Sequence, residues 1–307
     1  MTDLAIGIDI GGSGIKAGAV DLASGTLRGD RIRVATPNPS TPDAVVASTA
    51  RLVARIGRAV SEAGKATGTP VGVGIPSVVI DGHTRSAANI DPGWVDFPAA
   101  IEFHRALSRD VAIVNDADAA GVAEMRFGAG RGRLGTVFVL TLGTGVGSAL
   151  FVNGILVPNT ELGHMEIRGR DAERRSAANA RVRRGLSWKA WAADLDEHLI
   201  AIDRLFSPNV FILGGGVSKN PDKFVPFLTV RVPVVPAQLR NDAGIVGAAL
   251  FAAERLATPA GQPMVAAGPT GPAERAGIAA ADPAEVEDRT EVEAETGVAD
   301  TEPAETV

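Results

Sequence analysis

Two glycine-rich turns, Gly11-Gly-Ser-Gly14 and Gly143-Thr-Gly-Val-Gly147, constrain this 307-residue chain more than any other feature. Each follows an apolar, β-rich run (4–10 and 137–142), and each leads straight into another (15–20 and 146–152). Glycines at a strand end let the backbone turn sharply and leave N–H groups facing outward, where an anion can be held. Because a strand-like run follows Gly14, the segment Gly12-Ser-Gly-Ile-Lys-Ala17 departs from the dinucleotide fingerprint, which requires a helix directly after its glycines. A Walker loop needs Gly-Lys followed by Ser or Thr, and that sequence does not occur. A strand–turn–strand unit used twice remains. It predicts two α/β lobes, each offering one glycine turn to a shared ligand in the cleft between them.

The rest of the chain fits that division. Residues 26–34 alternate as a third strand of a meander, and 42–64 carry Val45, Val46, Leu52, Val53, Ile56 and Val60 at helical spacing. Residues 71–76, 111–115 and 210–213 read as buried strands, 77–97 as loop, and 187–206 and 243–256 as helices. A third glycine run, Leu213-Gly-Gly-Gly-Val-Ser218, follows a strand and adds Gly215 to the candidate phosphate-binding set. The expected lobes are 1–118 and 119–257. Residues 258–307 hold 11 acidic residues and two arginines, with no aromatic residue. Such a stretch cannot bury enough apolar surface to offset its ordering entropy, so a disordered acidic tail is expected.

Charge and composition exclude several classes. The chain has no cysteine, which removes disulfides and any Cys-based zinc site, so no structural zinc is expected. No apolar run approaches the ~20 residues that span a bilayer, and no signal-peptide pattern opens the chain. A soluble, cytoplasmic protein without a membrane partner is the expectation. The net charge of −6 divides into −9 for the tail and +3 for the body. Within the body, Arg168, Arg170, Arg174, Arg175, Arg181, Arg183, Arg184 and Lys189 crowd one stretch, against only Asp171 and Glu173. A solvated helix face explains part of this; a track for a polyanion explains it better. Aromatic interleaving is confined to Trp188 and Trp191, whose spacing suggests core, so a phosphate polymer or phosphorylated small molecule is preferred over nucleic acid.

The candidate chemistry lies at strand ends. Asn115-Asp116-Ala-Asp118 stands where a buried strand gives way to a helix, the position that points into the cleft of an open α/β fold. Asp116 reads either as a general base for an alcohol or as a helix N-cap, and spacing alone leaves both open. Asp118 reads as solvent-facing or as a cap. Asn115 can donate to and accept from a sugar hydroxyl. Glu161-Leu-Gly-His164, with Glu166 beyond it, offers the acceptor-rich set that polyols use, or a metal set without the zincin pattern. Asp9, on the strand entering the first turn, reaches a phosphate-bound Mg²⁺ through water or simply pairs with Lys16. His83, His104 and His198 read as surface or packing residues.

Asp9-Ile-Gly-Gly-Ser-Gly-Ile-Lys16, Asn115-Asp116-Ala-Asp118, Leu142-Gly-Thr-Gly-Val-Gly147 and Glu161-Leu-Gly-His164 together resemble the ROK (repressor, open reading frame, kinase) sugar-kinase family. Ala88-Asn-Ile-Asp-Pro-Gly-Trp94 and Leu213-Gly-Gly-Gly-Val-Ser-Lys219 resemble its polyphosphate-using members, and the likeness covers roughly 4–256. The resemblance implies a two-lobed, actin-like (ribonuclease H-like) ATPase fold. It implies phosphoryl transfer to the 6-hydroxyl of glucose from inorganic polyphosphate, with ATP also accepted, Mg²⁺ as cofactor, and a homodimer. Asp116 would be the base, and Asn89, Asn115, Glu161 and His164 would bind the sugar. Gly11, Gly12, Ser13, Gly14, Lys16, Thr141, Gly143, Thr144 and Gly145 would hold donor phosphates. Many members carry a Cys-rich zinc loop ending in a sugar-binding Glu. Here the cysteines are missing, and Glu173 and Glu166 compete for that last role. An ATP-only hexose kinase and a non-catalytic sugar-binding regulator are the rival readings. Both intact phosphate turns and Asp116 weigh against the regulator, as does the absence of a DNA-binding segment ahead of residue 11.

Overall fold

A computed structural model of the chain describes residues 4–62, 69–88 and 90–257. The expected acidic tail and Asn89 lie outside these residues. The chain begins with β1 (Leu4–Gly11), β2 (Gly14–Asp21), β3 (Ile32–Val34), α1 (Pro42–Glu62) and β4 (Val71–Ile75). A small hairpin of β5 (Val79–Ile80) and β6 (His83–Thr84) follows, then α2 (Ala99–Leu107), β7 (Val111–Asn115) and α3 (Asp116–Phe127). The second half runs β8 (Thr136–Leu142), β9 (Val146–Val152), β10 (Ile155–Val157), β11 (Glu166–Ile167) and β12 (Arg170–Asp171). It continues through α4 (Glu173–Ser176), α5 (Ala178–Arg183), α6 (Trp188–Phe206), β13 (Val210–Gly215), β14 (Val234–Pro236) and α7 (Ala243–Ala257).

The repeat seen in the glycine turns is a repeat of topology. One five-stranded sheet has the order β3-β2-β1-β4-β7 and the other β10-β9-β8-β13-β14. Each begins with an antiparallel meander whose first strand then pairs in parallel with the next strand beyond. Alternation along the strands sorts the packing. Ile6, Ile8 and Ile10 of β1 face α1 and α2, contributing to a core with Leu52 and Phe103. Phe138 and Leu140 of β8 face α6, in a core with Trp191, Leu195 and Leu199. The opposite faces, Ala5 of β1 and Val137 and Val139 of β8, share a central core with α3 and α7.

Close approach explains the small residues on that inner face. A Cβ on Gly7 would lie 1.8 Å from the Ile245 carbonyl oxygen, and one on Gly72 1.8 Å from that of Ala248. α7, the last described helix, therefore packs against the first sheet rather than staying with the second. A division at residue 118 separates the two sheets but not this helix.

Two local expectations change. Only 32–34 of the anticipated strand 26–34 forms β3, although Leu27 makes an isolated bridge to Val20. Asp21 accepts from the backbone of Ala23 and Ser24 and from Arg28, folding the preceding residues into a turn. The stretch 77–97 is built rather than loose. Besides β5 and β6 it holds a 3₁₀ turn, Pro92–Trp94, whose indole is fully buried and donates to the Ser40 carbonyl at 2.8 Å.

Candidate active site

Parallel pairing aligns the chemistry along one edge of each sheet. The register sets Asp9 beside Gly74, Gly74 beside Val114, and Ile75 beside Asn115. In the second sheet it sets Thr141 beside Gly214 and Leu142 beside Gly215. All three glycine runs thus end strands whose carboxyl ends bound the site, as the crevice rule for open α/β sheets requires. Gly12 and Ser13 form an exposed two-residue turn closed by the Gly11–Gly14 pair, and Gly143, Thr144 and Gly145 form the second turn. Gly215 adopts φ +80°, and a Cβ there would lie 2.2 Å from the Leu142 carbonyl oxygen, so the third run abuts the second turn closely.

The capping role considered for Asp116 belongs to its neighbour. Asn115, buried, is the N-cap of α3: its Oδ1 accepts from Ala117 N at 2.8 Å and Asp118 N at 3.1 Å. Asp116 is left free of the cap. Burial is the largest influence on its carboxyl, and the negative charges of Asp9 and Glu161 add to it. Together they push its pKa up to about 7. Asp118 neither faces solvent nor caps the helix. It is buried, its Oδ2 accepts from Asn159 N at 2.8 Å, and its Oδ1 has no partner among the described residues. Burial raises its pKa to about 7 as well.

The Asn115 amide donates to the Ser77 carbonyl at 3.1 Å and more loosely to Glu161 Oε1 at 3.4 Å. Glu161 lies 3.8 Å from His164 Nε2, and His164 Nδ1 lies 3.1 Å from Asp171 Oδ2. That bond to Asp171, with Glu173 and Glu161 nearby, holds the imidazole pKa above its usual value; burial and the charge of Glu173 raise that of Glu161. His164, Asp171 and Glu173 bring ligand-type atoms within 4.8 Å of one another. Glu173 Oε2 also accepts from Val146 N at 3.0 Å, just past the second glycine turn. Glu166 is exposed and lines a separate cavity of about 560 Å³ with α6 residues.

At the first turn, Asp9 and Lys16 are cross-strand neighbours joined at 2.7 Å. Arg33 donates to the Ser13 carbonyl at 3.1 Å and Thr36 to that of Gly11 at 2.5 Å. Sequence reading gave no role to Arg33, Thr36 or Asp171, and it did not show that buried His198 contacts both the Leu162 carbonyl and Ser176 Oγ. Two of these positions carried a signal: Thr36 opens the stretch Thr36-Pro-Asn-Pro-Ser-Thr-Pro42, which resembles the polyphosphate-using members, and strand pairing places Arg33 opposite Lys16.

The basic stretch is not one continuous track. Arg175 and Arg184 both pair with buried Asp194, and Arg168 and Arg175 with Glu197. Arg181 lies over the half-buried Trp188 ring at 4.1 Å, and Lys189 faces Phe227. Trp191 is core, as expected.

Duplicated sheets with two glycine turns and a raised carboxyl between them define a sugar-kinase-like site, and the chain belongs to the ROK family, which it matches over residues 5–179. It is 48% identical over 245 residues to polyphosphate glucokinase of Mycobacterium tuberculosis, covering 80% of this chain and 89% of that protein. Among solved structures it resembles the inorganic polyphosphate/ATP-glucomannokinase of Arthrobacter sp. strain KM, with 50% identity, TM-score 0.78, and 82% and 99% of the two chains covered. A ROK glucokinase from Streptomyces griseus, solved with glucose and AMPPNP, matches at 27% identity and TM-score 0.65 over 81% and 99%. The fold is the actin-like ATPase fold of these kinases. No described helix is long and apolar enough to cross a membrane.

Proposed function

We propose that this chain is a glucokinase that moves a phosphoryl group from inorganic polyphosphate, or from ATP, to the 6-hydroxyl of glucose. The carrying observation is Asp116: a carboxyl freed from capping by Asn115, at a strand end, with its pKa raised to about 7. A base of that strength is matched to accepting an alcohol proton near neutral pH. Glu161, His164 and Glu173 hold the sugar hydroxyls, Asn115 supports Glu161 and offers its loosely held amide proton, and Asn89 joins them. The 6-oxygen attacks the terminal phosphorus of the donor as Asp116 takes its proton. The bond to the bridging oxygen breaks, and the shortened polyphosphate or ADP leaves. The turns Gly11–Gly14 and Thr141–Gly145, with Lys16 and Gly215, hold the donor phosphates through backbone and side-chain donors.

Mg²⁺ fits this site by donor type. Asp9 has one oxygen on Lys16 and a second with no hydrogen bond from the described residues, and Asp116 is near; both are hard oxygen donors, as Mg²⁺ prefers. When bound, Mg²⁺ supplies charge neutralisation to the donor phosphates. Asp9 would hold it through water. A homodimer and a cytoplasmic location belong to the same reading, the former checked by light scattering.

The test is glucose 6-phosphate formation by purified protein with Mg²⁺ and glucose, given either ATP-free polyphosphate or ATP as sole donor. Turnover with polyphosphate supports the reading. Turnover with ATP alone reduces it to an ATP hexose kinase, and glucose binding without turnover from either donor overturns it in favour of a regulator.

A further inference from the structure

A cavity of about 630 Å³ opens beside the second glycine turn, lined by Thr144, Arg170, Glu173, Arg174, Arg175, Asn179, Arg183 and Arg184. Its walls are fixed to that turn: Asn179 N donates to the Gly143 carbonyl at 3.0 Å, and Glu173 accepts from Val146 N. The five arginines are of two kinds. Arg175 and Arg184 converge on buried Asp194, so their charge is largely answered from behind and they form a braced wall. Arg170, Arg174 and Arg183 are exposed and have no acidic partner among the described residues; Arg183 donates only to the Arg174 carbonyl. Three unanswered guanidinium groups thus stand around a hollow that begins at a phosphate-binding turn.

The lining also says what does not fit. Its named residues are arginines, one Glu, one Asn and one Thr, with no aromatic or aliphatic side chain. Small-molecule pockets that take flat organic rings are lined mainly by apolar and aromatic groups. Adenosine finds no such surface here, whereas a linear polyanion needs only repeated cationic donors, which arginine supplies with planar, multidentate geometry.

We infer that Arg170, Arg174 and Arg183 form a polymer-specific subsite that takes the phosphate residues of inorganic polyphosphate distal to the one transferred, and that ATP does not use it. This rests on the kinase reading above. The rest of the basic stretch serves structure: Arg168 is committed to Glu197 and Arg181 to Trp188.

The experiment compares wild type with the triple variant Arg170→Ala, Arg174→Ala, Arg183→Ala, using long-chain polyphosphate, tripolyphosphate and ATP as separate donors. Loss of three exposed charge contacts should raise the KM for long-chain polyphosphate about tenfold, with less effect on tripolyphosphate and ATP turnover kept within about twofold. ATP turnover doubles as the folding control. In the wild type, raising salt from about 50 to about 500 mM should increase the KM for long-chain polyphosphate more steeply than that for ATP. An unchanged polyphosphate KM in the variant, equal losses with all donors, or equal wild-type salt dependence for polymer and ATP would each overturn the subsite. Wild-type turnover from ATP would leave the kinase reading standing in every such case, while absence of turnover from any donor removes that reading itself.

Discussion

His198 Nε2 lies 3.0 Å from the Leu162 carbonyl oxygen while its Nδ1 lies 2.9 Å from Ser176 Oγ. Leu162 sits between Glu161 and His164, and Ser176 closes the short helix α4 that Glu173 opens, so one buried imidazole on α6 joins the two segments that carry the proposed sugar-binding groups. A carbonyl can only accept, so Nε2 carries the proton, and burial lowers the pKa and keeps the ring neutral. Replacing His198 by Leu removes the imidazole donor to the Leu162 carbonyl, which keeps only Met165 N at 3.1 Å, and so unties the segment of Glu161 and His164 from α6 and α4. The glucose KM should rise about tenfold with a smaller change in kcat, and His198→Gln, which can still donate, should recover part of the loss. Equal KM values for wild type and His198→Leu would reduce the residue to packing.

Asp116 predicts a pH profile. A general base works only when ionised, and its pKa is raised to about 7 by burial and by Asp9 and Glu161. Therefore kcat/KM should be flat in mild alkali and fall as pH drops through about 7, approaching tenfold per pH unit below it. Asp116→Asn should lower kcat about 10²–10⁴-fold while calorimetry still detects glucose binding. A profile flat down to pH 5 would remove Asp116 from the role of base.

Much of this site was legible because it is local. Gly11–Gly14 and Gly143–Gly147 mark strand ends by composition, and Asn115-Asp116 marks a strand-to-helix junction. Even so, which of the two caps α3 depends on a side-chain rotation that spacing does not encode. What stayed hidden is long-range. Asp194 appears in sequence as one polar position on an amphipathic helix, yet it is buried and gathers Arg175 and Arg184 from the region read as an anion track. Trp94 turned an apparent loop into packed structure through a bond to Ser40, 54 positions away. Asp171 gained meaning only when the β11–β12 hairpin folded it back onto His164.

Stability should hinge on the glycines beneath α7. A Cβ on Gly247 would fall 1.6 Å from the Ala119 carbonyl oxygen, a backbone atom that cannot swing away. Gly247→Ala should therefore push α7 off α3 and lower unfolding free energy by about 3 kcal/mol or more, or leave the protein insoluble. A Cβ on Gly57, within α1, would meet only the tip of Arg109, at 3.8 Å. There Ala should raise stability by up to about 1 kcal/mol through helix propensity. Urea denaturation of the two variants should move in opposite directions; similar midpoints would mean α7 is not held by close backbone contact.

Metal removal separates the chemical from the structural role of Asp9. Asp9 pairs with Lys16 at 2.7 Å across the first hairpin, so the strands are joined there without any ion. Chelation by EDTA should abolish phosphoryl transfer from either donor while leaving the thermal midpoint and glucose binding unchanged, since donor phosphates, not the fold, require the cation's charge. Asp9→Asn keeps size and hydrogen bonding to Lys16 but removes the anion proposed to attract Mg²⁺ through water. The Mg²⁺ concentration for half-maximal rate should rise severalfold, and added Mg²⁺ should restore much of the rate. If EDTA instead lowered the thermal midpoint, the ion would be part of the fold; an unchanged Mg²⁺ requirement in Asp9→Asn would move the cation to other oxygens of the cleft.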